Sequence, residues 1–390
     1  MKNLFNQPRQ KIYNFSFIDP IKFLFKKNIR EKELSYFFKE KFNFKKTLTL
    51  SHGRLGIYLA VRAIVAKDKN EIILSPYTIF DVVNMVVCAG GKPVFADIEI
   101  PSIEMSLNEV KKSVNDNTAG VIVTHYHSYC KNISEIRKIT QEKKIKLIED
   151  CAIAFGTRLD KETYVGSNSD IAIFSFNITK FISTLSSGLL VTNDEQLLLS
   201  MENFSKEFNV NPLVYLFKKY IKALQIKIFT SQIIFNLITK RIIVLTKSSK
   251  IKIFKNLVRT DPNPKILYKL PKYYKSYVTS YQRKEIYSKV SKYLEKDDQV
   301  IRLKNYQTYQ EELSSIKEIT IHKIKNDFSN GVVSFPLFYD YRDDLYKYML
   351  NSGCDVSRYF YRDCSTLKIF QHLNYNCKKS LEACDKVILL

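Results

Sequence analysis

The sequence predicts an α/β fold whose larger domain contains a mainly parallel sheet. Predicted strands alternate with helices of about ten residues through the first half of the chain, which is the pattern of β-α-β crossovers. The strands read VIVT, KLIE and IAIF, apolar at successive positions, as in strands covered on both faces. The chain has 390 residues, of which 45% are hydrophobic, enough for a large core and a second, smaller domain.

The elements of the first half follow from their apolar periodicity. Helical spacing predicts helices over Leu55–Ala66, Phe80–Ala89, Leu107–Val114 and Ile133–Glu142. Apolar and β-branched runs predict strands over Glu71–Ser75, Lys92–Ile98, Gly120–His125, Ile145–Asp150, Ile171–Phe176 and Leu189–Thr192. The alternation of the two kinds of element is the basis of the parallel-sheet prediction.

The second half is predicted to contain a long helix and a smaller α/β domain. Ser280–Leu313 has a long polar helix pattern. Val332–Leu390 combines the strand-like run VVSFPLF with a helix around Tyr341–Asn351. We therefore expect a large domain over 1–207, a basic amphipathic insertion over 208–275, and the long helix with the small C-terminal domain over 276–390.

The charge is concentrated in one segment. The chain has 62 Lys+Arg and 39 Asp+Glu, a net charge of +23, and Phe208–Thr260 holds eleven Lys/Arg and no acid. In this basic segment the apolar residues recur at helical spacing, whereas three lysines lie toward another face. The apolar residues are Leu213, Phe217, Tyr220, Ile221, Leu224 and Ile228, and the lysines are Lys218, Lys219 and Lys222. Such a helix either packs on its own domain with its lysines in water or contacts an anionic membrane surface; nucleic-acid binding lacks a recognition motif.

Several classes of protein are excluded by the sequence. It has no run of uncharged apolar residues as long as about 18, so no ordinary membrane-spanning helix is expected. Seven cysteines without a CxxC pair, and an N-terminal MKNLFNQPRQ without an apolar stretch, predict reduced thiols and a cytoplasmic location. A peripheral position at the inner face of the membrane is the alternative. GxGxxG, Walker and HExxH motifs do not occur, so dinucleotide, P-loop and metal sites are not expected.

Three elements lie where an open parallel sheet binds its ligands, beyond the strand ends. Ser51-His52-Gly53-Arg54 precedes a helix, and N–H groups at a helix N-terminus can hold a phosphate. Glu149-Asp150 ends one predicted strand, and Ser175, near the end of another, comes five positions before Lys180. A phosphate cradle, a carboxylate for a pyridinium nitrogen and a Schiff-base lysine are the parts of a pyridoxal 5′-phosphate site. Each alone also fits a helix cap or a solvated loop; their order and spacing favour the cofactor site.

The same segments carry a family resemblance. In collinear order over residues 45–195 they are SHGRLGIYLAVRAI, EIILSPYTIFDVVNMVVCAGGKPVFADI, AGVIVTHYHS, KIKLIEDCAIAFGTRLDKETYVGSNSDIAIFSFNITK and GLLVTND. They resemble the DegT/DnrJ/StrS family of pyridoxal-phosphate sugar aminotransferases. FPLFY and GCDVSRYFYRDCSTLKIFQHL are similar to its small domain. The resemblance implies a fold-type-I aminotransferase with a mainly parallel sheet in the large domain, a small C-terminal α/β domain and, here, a basic helical insertion.

Position within these motifs implies a role for each candidate residue. Lys180 would form the Schiff base and move the proton, Asp150 would bind the pyridinium nitrogen, and Ser175 would bind the phosphate. The backbone donors around the phosphate would be those of Gly53, Arg54 and Leu55. His125 and His127 end the strand THYH and either face the same pocket or are packed or surface histidines.

The sequence also departs from the family pattern. Ile153 stands where the family usually has a glutamine that reaches the cofactor's phenolic oxygen, and Ile79 where an aromatic residue usually stacks on the cofactor ring; both remain candidate cofactor contacts. A small hydroxyl residue of the phosphate loop is replaced by Arg54, and two family glycines by Ser187 and Ser128. The changes at Ile153 and Ile79 favour a non-catalytic homologue, whereas the retained Lys180 and Asp150 favour an active enzyme.

The resemblance implies transfer of an amino group from glutamate to a keto-sugar nucleotide, for surface polysaccharide or lipopolysaccharide synthesis. It also implies a homodimer with sites at the subunit interface. One alternative is a non-catalytic, membrane-associated homologue of the same fold. Another is a sugar dehydratase, although in the family's dehydratases the lysine is replaced. Neither nucleic acid nor metal is expected as a partner.

Overall fold

A mainly parallel sheet forms the centre of the protein. The computed structural model describes residues 28–126, 130–178, 180–210, 213–242, 264–295, 298–324, 332, 334–352, 354, 356–358 and 361–390. Its strands are β1 (Lys46–Leu50), β2 (Glu71–Leu74), β3 (Tyr77–Thr78), β4 (Lys92–Phe95), β5 (Ile98–Glu99), β6 (Glu104–Met105), β7 (Thr118–Thr124), β8 (Lys146–Asp150), β9 (Ile171–Ser175), β10 (Gly188–Thr192), β11 (Asn209–Val210), β12 (Ser276–Tyr277), β13 (Thr320–Ile321), β14 (Pro336–Phe338), β15 (Arg362–Asp363) and β16 (Val387–Leu389). The main sheet has the order β1-β10-β9-β8-β7-β2-β4. Strands β9, β8, β7, β2 and β4 are parallel, whereas β10 is antiparallel to both of its neighbours. The predicted α/β fold is confirmed.

Helices cover both faces of this sheet. They are α1 (Glu31–Phe42), α2 (Gly53–Ile64), α3 (Phe80–Cys88), α4 (Leu107–Ser113), α5 (Ile133–Glu142), α6 (Glu195–Ser205), α7 (Leu213–Phe229), α8 (Gln232–Ile234), α9 (Ser280–Glu295), α10 (Asp298–Leu313), α11 (Arg342–Asn351) and α12 (Lys378–Lys386). Short 3-10 turns span Lys272–Tyr274, Cys364–Thr366 and Gln371–Leu373, and Phe235–Thr239 is π-helical. Helices α2, α3 and α6 share one core cluster with the sheet, while α1 with α9 and α4 with α5 contribute to two others.

The strands are apolar throughout because both of their faces are buried. In β9, Ile171 and Ile173 belong to the core under α2, α3 and α6, whereas Ala172 and Phe174 belong to the core under α1 and α9. Successive side chains of a strand point to opposite faces. A strand covered by helices on both sides therefore has no position for a polar side chain until it ends.

The observed bounds require two corrections to the predicted elements. The run TLTL lies in β1, an edge strand antiparallel to β10, which the sequence treats only as a short apolar run. The strand predicted over Lys92–Ile98 ends at Phe95, because Asp97 Oδ1 accepts the Ile98 N–H at 2.9 Å and turns the backbone out of the sheet. The helix predicted over Ser280–Leu313 is helical in both of its described parts, α9 and α10; residues 296–297 between them lie outside the described residues.

The C-terminal residues form a small sheet and also return to the main body. Strands β13, β14 and β16 pair antiparallel, and β15 pairs with β3, the short strand just after β2. The helix predicted around Tyr341–Asn351 is confirmed as α11. The division of the chain at 207/208 and 275/276 remains a prediction.

After the short strand β11, the described part of the basic segment is mainly helical. Its apolar spacing predicts a helix, and α7 covers these residues. In the described part of the chain, single helices all fall short of the length and apolar character needed to cross a membrane. Val214–Phe229 and Gln232–Ile242, bent by 64°, satisfy that requirement only when taken together. Residues 243–263 of the segment lie outside the described residues.

The polar ends of the central strands meet at one edge. Strands β7 and β8 end at Thr124 and Asp150, which are register partners. Strand β9 ends at Ser175, the register partner of Gly188 where β10 begins. Strand β1 also finishes at this edge, so the start of α2 lies beside Ser175. Polar side chains cannot be accommodated within a sheet whose two faces are both buried. They are therefore brought together at this carboxyl edge of the sheet.

An aromatic cluster under α1 should contribute strongly to stability. Phe38 is fully buried, with ring centroids 5.4 Å from Phe37 and 5.7 Å from Phe42. We expect Phe38→Ala to lower the free energy of unfolding by roughly 3–5 kcal/mol, because it leaves a cavity. Tyr36→Ala, on the same helix at 64% exposure, should change it by no more than about 0.5 kcal/mol. Chemical denaturation of both variants measures the difference, and equal losses would contradict this packing.

Candidate functional site

Asp150 and Lys180 interact at the carboxyl edge of the sheet. Asp150 is the buried last residue of β8. Burial raises its pKa, and the N–H of Ala152, 3.1 Å from Oδ1, and the charge of Lys180 act in the opposite direction. Burial lowers the pKa of Lys180 to about 8; Asp150 opposes this shift and Arg54 adds to it. The pair therefore places an amine that titrates near neutral pH next to a buried carboxyl group.

The loop that carries Lys180, residues 176–187, is closed by hydrogen bonds. The Phe176 N–H donates to Ser187 O at 2.9 Å, which joins the two ends of the loop. The Lys180 N–H donates to Asn177 O at 2.9 Å, so the lysine lies in a tight turn directly after β9. These bonds fix the backbone position of Lys180, although the residue itself is only half-buried.

Two helices support this lysine loop from outside the main sheet. On α9, Lys289 Nζ donates to Ser183 O at 2.6 Å and pairs with Glu285 at 3.1 Å. Leu185 has a φ of 64°, a left-handed conformation that leucine rarely adopts. It belongs with Ile178 and Ala223 of α7 to one apolar cluster. One face of the basic segment thus packs on its own domain, as the first of the three interpretations expects.

The start of α2 and the end of β9 form a cradle for an anion. Helix α2 begins at Gly53 without a side-chain cap among the described residues, unlike α6, whose first turn is capped by Asp194. A Cβ on Gly53 would lie 2.9 Å from Ser175 Cβ, and a Cβ on Gly188 would lie 2.6 Å from Gly53 N. The approach is so close that only glycine fits. It places the first turn of α2 beside Ser175, and the N-terminus of a helix favours an anion.

Arg54 and Leu55, the next residues of the cradle, contribute differently. The Arg54 guanidinium is 2.8 Å from Asp81 Oδ2 and 3.0 Å from the Tyr274 hydroxyl. Its side chain therefore ties the first turn of α2 to the start of α3. Leu55 is fully buried, and its N–H donates to His52 O at 3.2 Å. The Leu55 N–H, predicted as a phosphate donor, already has this partner.

His52, immediately before α2, is surrounded by hydroxyl groups. Its Nδ1 lies 3.0 Å from Ser51 Oγ, and its Nε2 lies 2.9 Å from the Tyr215 hydroxyl and 3.3 Å from Ser186 Oγ. Burial lowers the pKa of His52 to about 3, and the charge of Lys219 acts in the same direction. The ring is therefore neutral at physiological pH and links the cradle to α7 through Tyr215.

His125 is packed beneath the site. It is fully buried with Glu149, and its Nε2 lies 2.8 Å from Glu149 Oε2. Its Nδ1 accepts the Cys130 N–H at 2.9 Å, so this nitrogen carries no proton and Nε2–H donates to the carboxylate. Burial acts to raise the pKa of Glu149, but its hydrogen bonds to His125 and Gly166 N–H lower it overall. Of the two arrangements open for His125, the structure has the packed one.

A third ligand type lies beside this pair. Cys151 Sγ lies within 4.8 Å of the ligand atoms of His125 and Glu149. Burial holds the pKa of the Cys151 thiol well above its usual range, and a protonated thiol is a poor metal ligand. Because His125 and Glu149 also bond to each other, we interpret the group as packed support for Asp150.

Three tyrosines form a wall near Asp150. The Tyr126 hydroxyl donates to Tyr77 O, and the rings of Tyr126 and Tyr361 lie 5.0 Å apart. Burial raises the pKa of both Tyr126 and Tyr361, and the charge of Asp150 adds to it. Their hydroxyls therefore stay protonated. Tyr361 brings the C-terminal part of the chain to this edge of the sheet.

The remaining candidates lie around the edge. Ile79 is the N-cap residue of α3, two positions before Asp81, and is half-buried. Ile153 is half-buried in the turn that follows β8. His127 and Ser128 lie outside the described residues. The contacts predicted for Ile79 and Ile153 remain predictions.

A cavity of about 540 Å³ lies elsewhere. It is lined by Leu147 at the start of β8 and by Arg137 and Asp170, which form an ion pair of 2.5 Å. Leu147 and Asp170 lie at the amino ends of β8 and β9, and Arg137 lies on α5. The cavity includes none of the candidate site residues, and we assign it no part in the chemistry.

Comparison with known proteins shows a family likeness over part of the chain. Residues 26–210, which contain the cradle, Asp150 and Lys180, match the DegT/DnrJ/EryC1/StrS aminotransferase family. These residues, just under half of the chain, are similar to members of that family. The curated GDP-perosamine synthase of Vibrio cholerae is 34% identical over 158 residues, 40% of this chain and 43% of that protein. The chain spans about two fifths of the length of the curated relatives it matches.

Solved structures extend the fold likeness to the whole chain. The aminotransferase PseC of Helicobacter pylori, involved in the biosynthesis of pseudoaminic acid, has a TM-score of 0.71 at 16% identity, over 99% of this chain and 92% of that one. The E. coli GDP-4-keto-6-deoxy-D-mannose-3-dehydratase with bound hydrated PLP has a TM-score of 0.71 at 14% identity, over 100% and 95%. At such identities the likeness shows the fold alone, and it extends beyond residue 210.

The sequence analysis did not predict some residues of the site. Tyr215 reaches His52 across 163 residues, and Tyr361 reaches Tyr126 from the far end of the chain. No local pattern marks such long-range contacts. Glu149 had a signal, since a buried acid next to Asp150 at a strand end requires a partner. That partner is His125, which follows the neighbouring strand β7.

The pKa of Lys180 can be tested without any ligand. We expect the Lys180 amine to react with an acylating reagent with a midpoint near pH 8, below that of ordinary lysines. Asp150→Asn should move this midpoint lower, because the carboxylate that favours the ammonium form is removed. Peptide mass spectrometry across a pH series measures both, with exposed lysines of the same digest as reference. A Lys180 midpoint equal to theirs would contradict its burial.

Proposed function

We propose that the chain is a pyridoxal-phosphate-dependent aminotransferase that moves an amino group from glutamate to a keto-sugar nucleotide. The observation that carries the proposal is the meeting of Lys180, Asp150 and the cradle of Gly53 and Ser175 at one sheet edge. The family of residues 26–210 supports the same reaction class. When bound, the cofactor would supply an electron-accepting ring that stabilises negative charge at the substrate carbon.

The residues present fit the phosphate end of this cofactor. Ser175 Oγ has no hydrogen-bond partner among the described residues, and Gly53 opens a helix whose first turn has no side-chain cap there. Apart from the Leu55 N–H, which donates to His52 O, the uncapped first turn and the Ser175 hydroxyl are donors in need of an acceptor. A phosphate accepts several hydrogen bonds at once. Arg54 adds positive charge nearby, although its guanidinium is engaged by Asp81.

Asp150 fits the ring end. Burial raises its pKa, so its ionised form is stable only beside a positive partner. A protonated ring nitrogen is such a partner, and the carboxylate would in turn keep that proton in place. Glu149, His125 and the Ala152 N–H hold the strand end so that Asp150 stays oriented.

Lys180 fits the covalent and proton-transfer role. With a pKa of about 8, a useful fraction of the amine is unprotonated near neutral pH. An amine in that state can bond to a carbonyl carbon and can also take a proton from a substrate carbon and return it. The turn closed by the hydrogen bond from the Lys180 N–H to Asn177 O fixes the backbone from which the Lys180 side chain extends in both roles.

Covalent trapping is the direct test of this site. We expect pyridoxal phosphate followed by borohydride to modify Lys180, read by peptide mass spectrometry, at cofactor amounts that leave exposed lysines unmodified. Asp150→Asn should weaken the trapping, and Lys180→Arg should abolish it while keeping the charge. A folded wild-type protein that stays unmodified at Lys180 would instead favour the non-catalytic homologue, which Ile79 and Ile153 suggest.

The donor and acceptor require a separate measurement. We propose glutamate as donor, and GDP-4-keto-6-deoxy-D-mannose, named for a structural neighbour, as the first acceptor to test. The protein given ¹⁵N-glutamate should place the label in the nucleotide sugar, read by mass spectrometry, whereas Lys180→Arg should not. Trapping at Lys180 without label in any keto-sugar nucleotide would contradict this substrate class but not the cofactor site.

We further propose that the protein acts as a homodimer, with the sites at the subunit interface, in surface polysaccharide or lipopolysaccharide synthesis. Both points rest on the family resemblance. Light scattering of the purified protein gives the oligomeric state directly. A monomer in which pyridoxal phosphate and borohydride still modify Lys180 would contradict a site shared between subunits.

A further inference from the structure

The outer side of α7 is both apolar and basic. Val214, Phe217, Ile221 and Ile228 are exposed, Phe217 at 63%. They recur at spacings of three, four and seven residues, so they lie along one side of the helix. Lys218 and Lys222 are also exposed, and their positions one residue after Phe217 and Ile221 place them along the border of this apolar stripe.

Exposed apolar side chains also follow the bend at residues 230–231. Ile233, Leu237, Ile238 and Ile242 are all exposed, Ile233 at 68%. The bend is held by Thr239 Oγ1, which donates to Phe229 O at 2.8 Å. Large exposed apolar surfaces of this kind mark sites of contact with another molecule. We call residues 214–242 the bent helix pair.

The inner side of α7 is fixed to the protein. Ala223 is fully buried and Leu216 nearly so, and Ala223 packs against Ile178 and Leu185 of the lysine loop. Tyr215 bonds to His52. A helix held in this way cannot enter the bilayer interior without losing these contacts. Helix α7 therefore lies against the body of the protein and offers only its outer side.

The charge decides what this side contacts. Residues 213–242 include six Lys/Arg and no acid. A second copy of the same surface would meet it with like charge. Nucleic acid would match the charge but would leave the apolar stripe in water. An anionic lipid surface satisfies both, since phosphate headgroups attract the lysines and the acyl boundary takes up the apolar side chains.

We propose that residues 214–242 are a docking surface for an anionic membrane, on which the protein lies peripherally. The proposal does not depend on the aminotransferase reaction. It gives the basic segment two roles, since α7 covers the lysine loop with one side and binds lipid with the other. Deleting Phe208–Thr260 would uncover Ile178 and Leu185 beside Lys180, so the test uses substitutions on the outer side only.

The experiment measures binding of the full-length protein to two kinds of vesicle, phosphatidylcholine alone and an equal mixture with phosphatidylglycerol. We expect binding to the mixed vesicles, weakened by salt, and little to phosphatidylcholine. Lys218→Gln with Lys222→Gln should weaken it by about tenfold or more. Phe217→Ser with Ile221→Ser should weaken it by about tenfold as well.

Each double variant has a matched control. Lys111→Gln with Lys143→Gln changes the net charge equally at two exposed lysines of α4 and the end of α5. Leu199→Ser with Leu381→Ser removes two exposed apolar side chains from α6 and α12. Both controls should bind mixed vesicles like the wild type. Circular dichroism and thermal unfolding establish that all four variants fold.

Four results would overturn the proposal. They are wild-type protein that ignores mixed vesicles, outer-side variants that bind as well as their controls, equal binding to neutral vesicles, and a membrane-bound form that resists alkaline carbonate, as a spanning helix would. A change in oligomeric state of Phe217→Ser with Ile221→Ser, without vesicle binding by the wild type, would assign the surface to a protein contact instead.

Discussion

The close approach of three backbone segments at Gly53, Ser175 and Gly188 is the constraint on which the site depends. A Cβ on Gly188 would stand 2.6 Å from Gly53 N, and a Cβ on Gly53 would stand 2.9 Å from Ser175 Cβ. This contact sets the start of α2 against the end of β9 and fixes where β10 begins. Since loop 176–187 joins the end of β9 to the start of β10, this close approach also determines the backbone position of Lys180. Where the family has two glycines, this chain has Ser187 and Gly188, and Gly188 alone is therefore sufficient for the close approach.

Burial of charge is the second constraint, and the protein satisfies it by pairing. Glu149 is offset by a donating His125, and Lys289 by Glu285 under the lysine loop. Asp150 and Lys180 are each shifted toward the neutral form by burial. Their mutual attraction only partly offsets this cost. The charges of the supporting pairs, Glu149 with His125 and Lys289 with Glu285, thus compensate each other. The pair Asp150 and Lys180 at the sheet edge depends instead on what binds there. That dependence is expected of a reactive site rather than of a structural ion pair.

The sequence predicts well what local patterning controls. Apolar runs locate the central strands, and the strand ends locate Asp150 and Lys180, because a sheet buried on both faces confines polar chemistry to its edge. It predicts poorly what depends on distant segments. The Tyr215–His52 contact and the tyrosine wall join residues whose separation leaves no periodic signal, and the antiparallel edge strand β1 is too short to distinguish from any apolar run. The roles assigned to Ile79 and Ile153 come from the family pattern, and physical chemistry alone would not have singled them out.

The basic segment shows why composition alone is an incomplete guide. Its apolar periodicity suggests one hydrophobic face, but the structure divides these residues between two surfaces. Tyr220 and Leu224 pack toward the lysine loop, whereas Phe217 and Ile221 face outward. A helix needs only the inner face to fold onto its domain, so burial does not account for the exposed stripe or for the absence of acids around it. Apolar side chains left in water on a helix that is already anchored are a cost without a folding benefit. The outer face is therefore better explained by contact with another surface than by the stability of this chain.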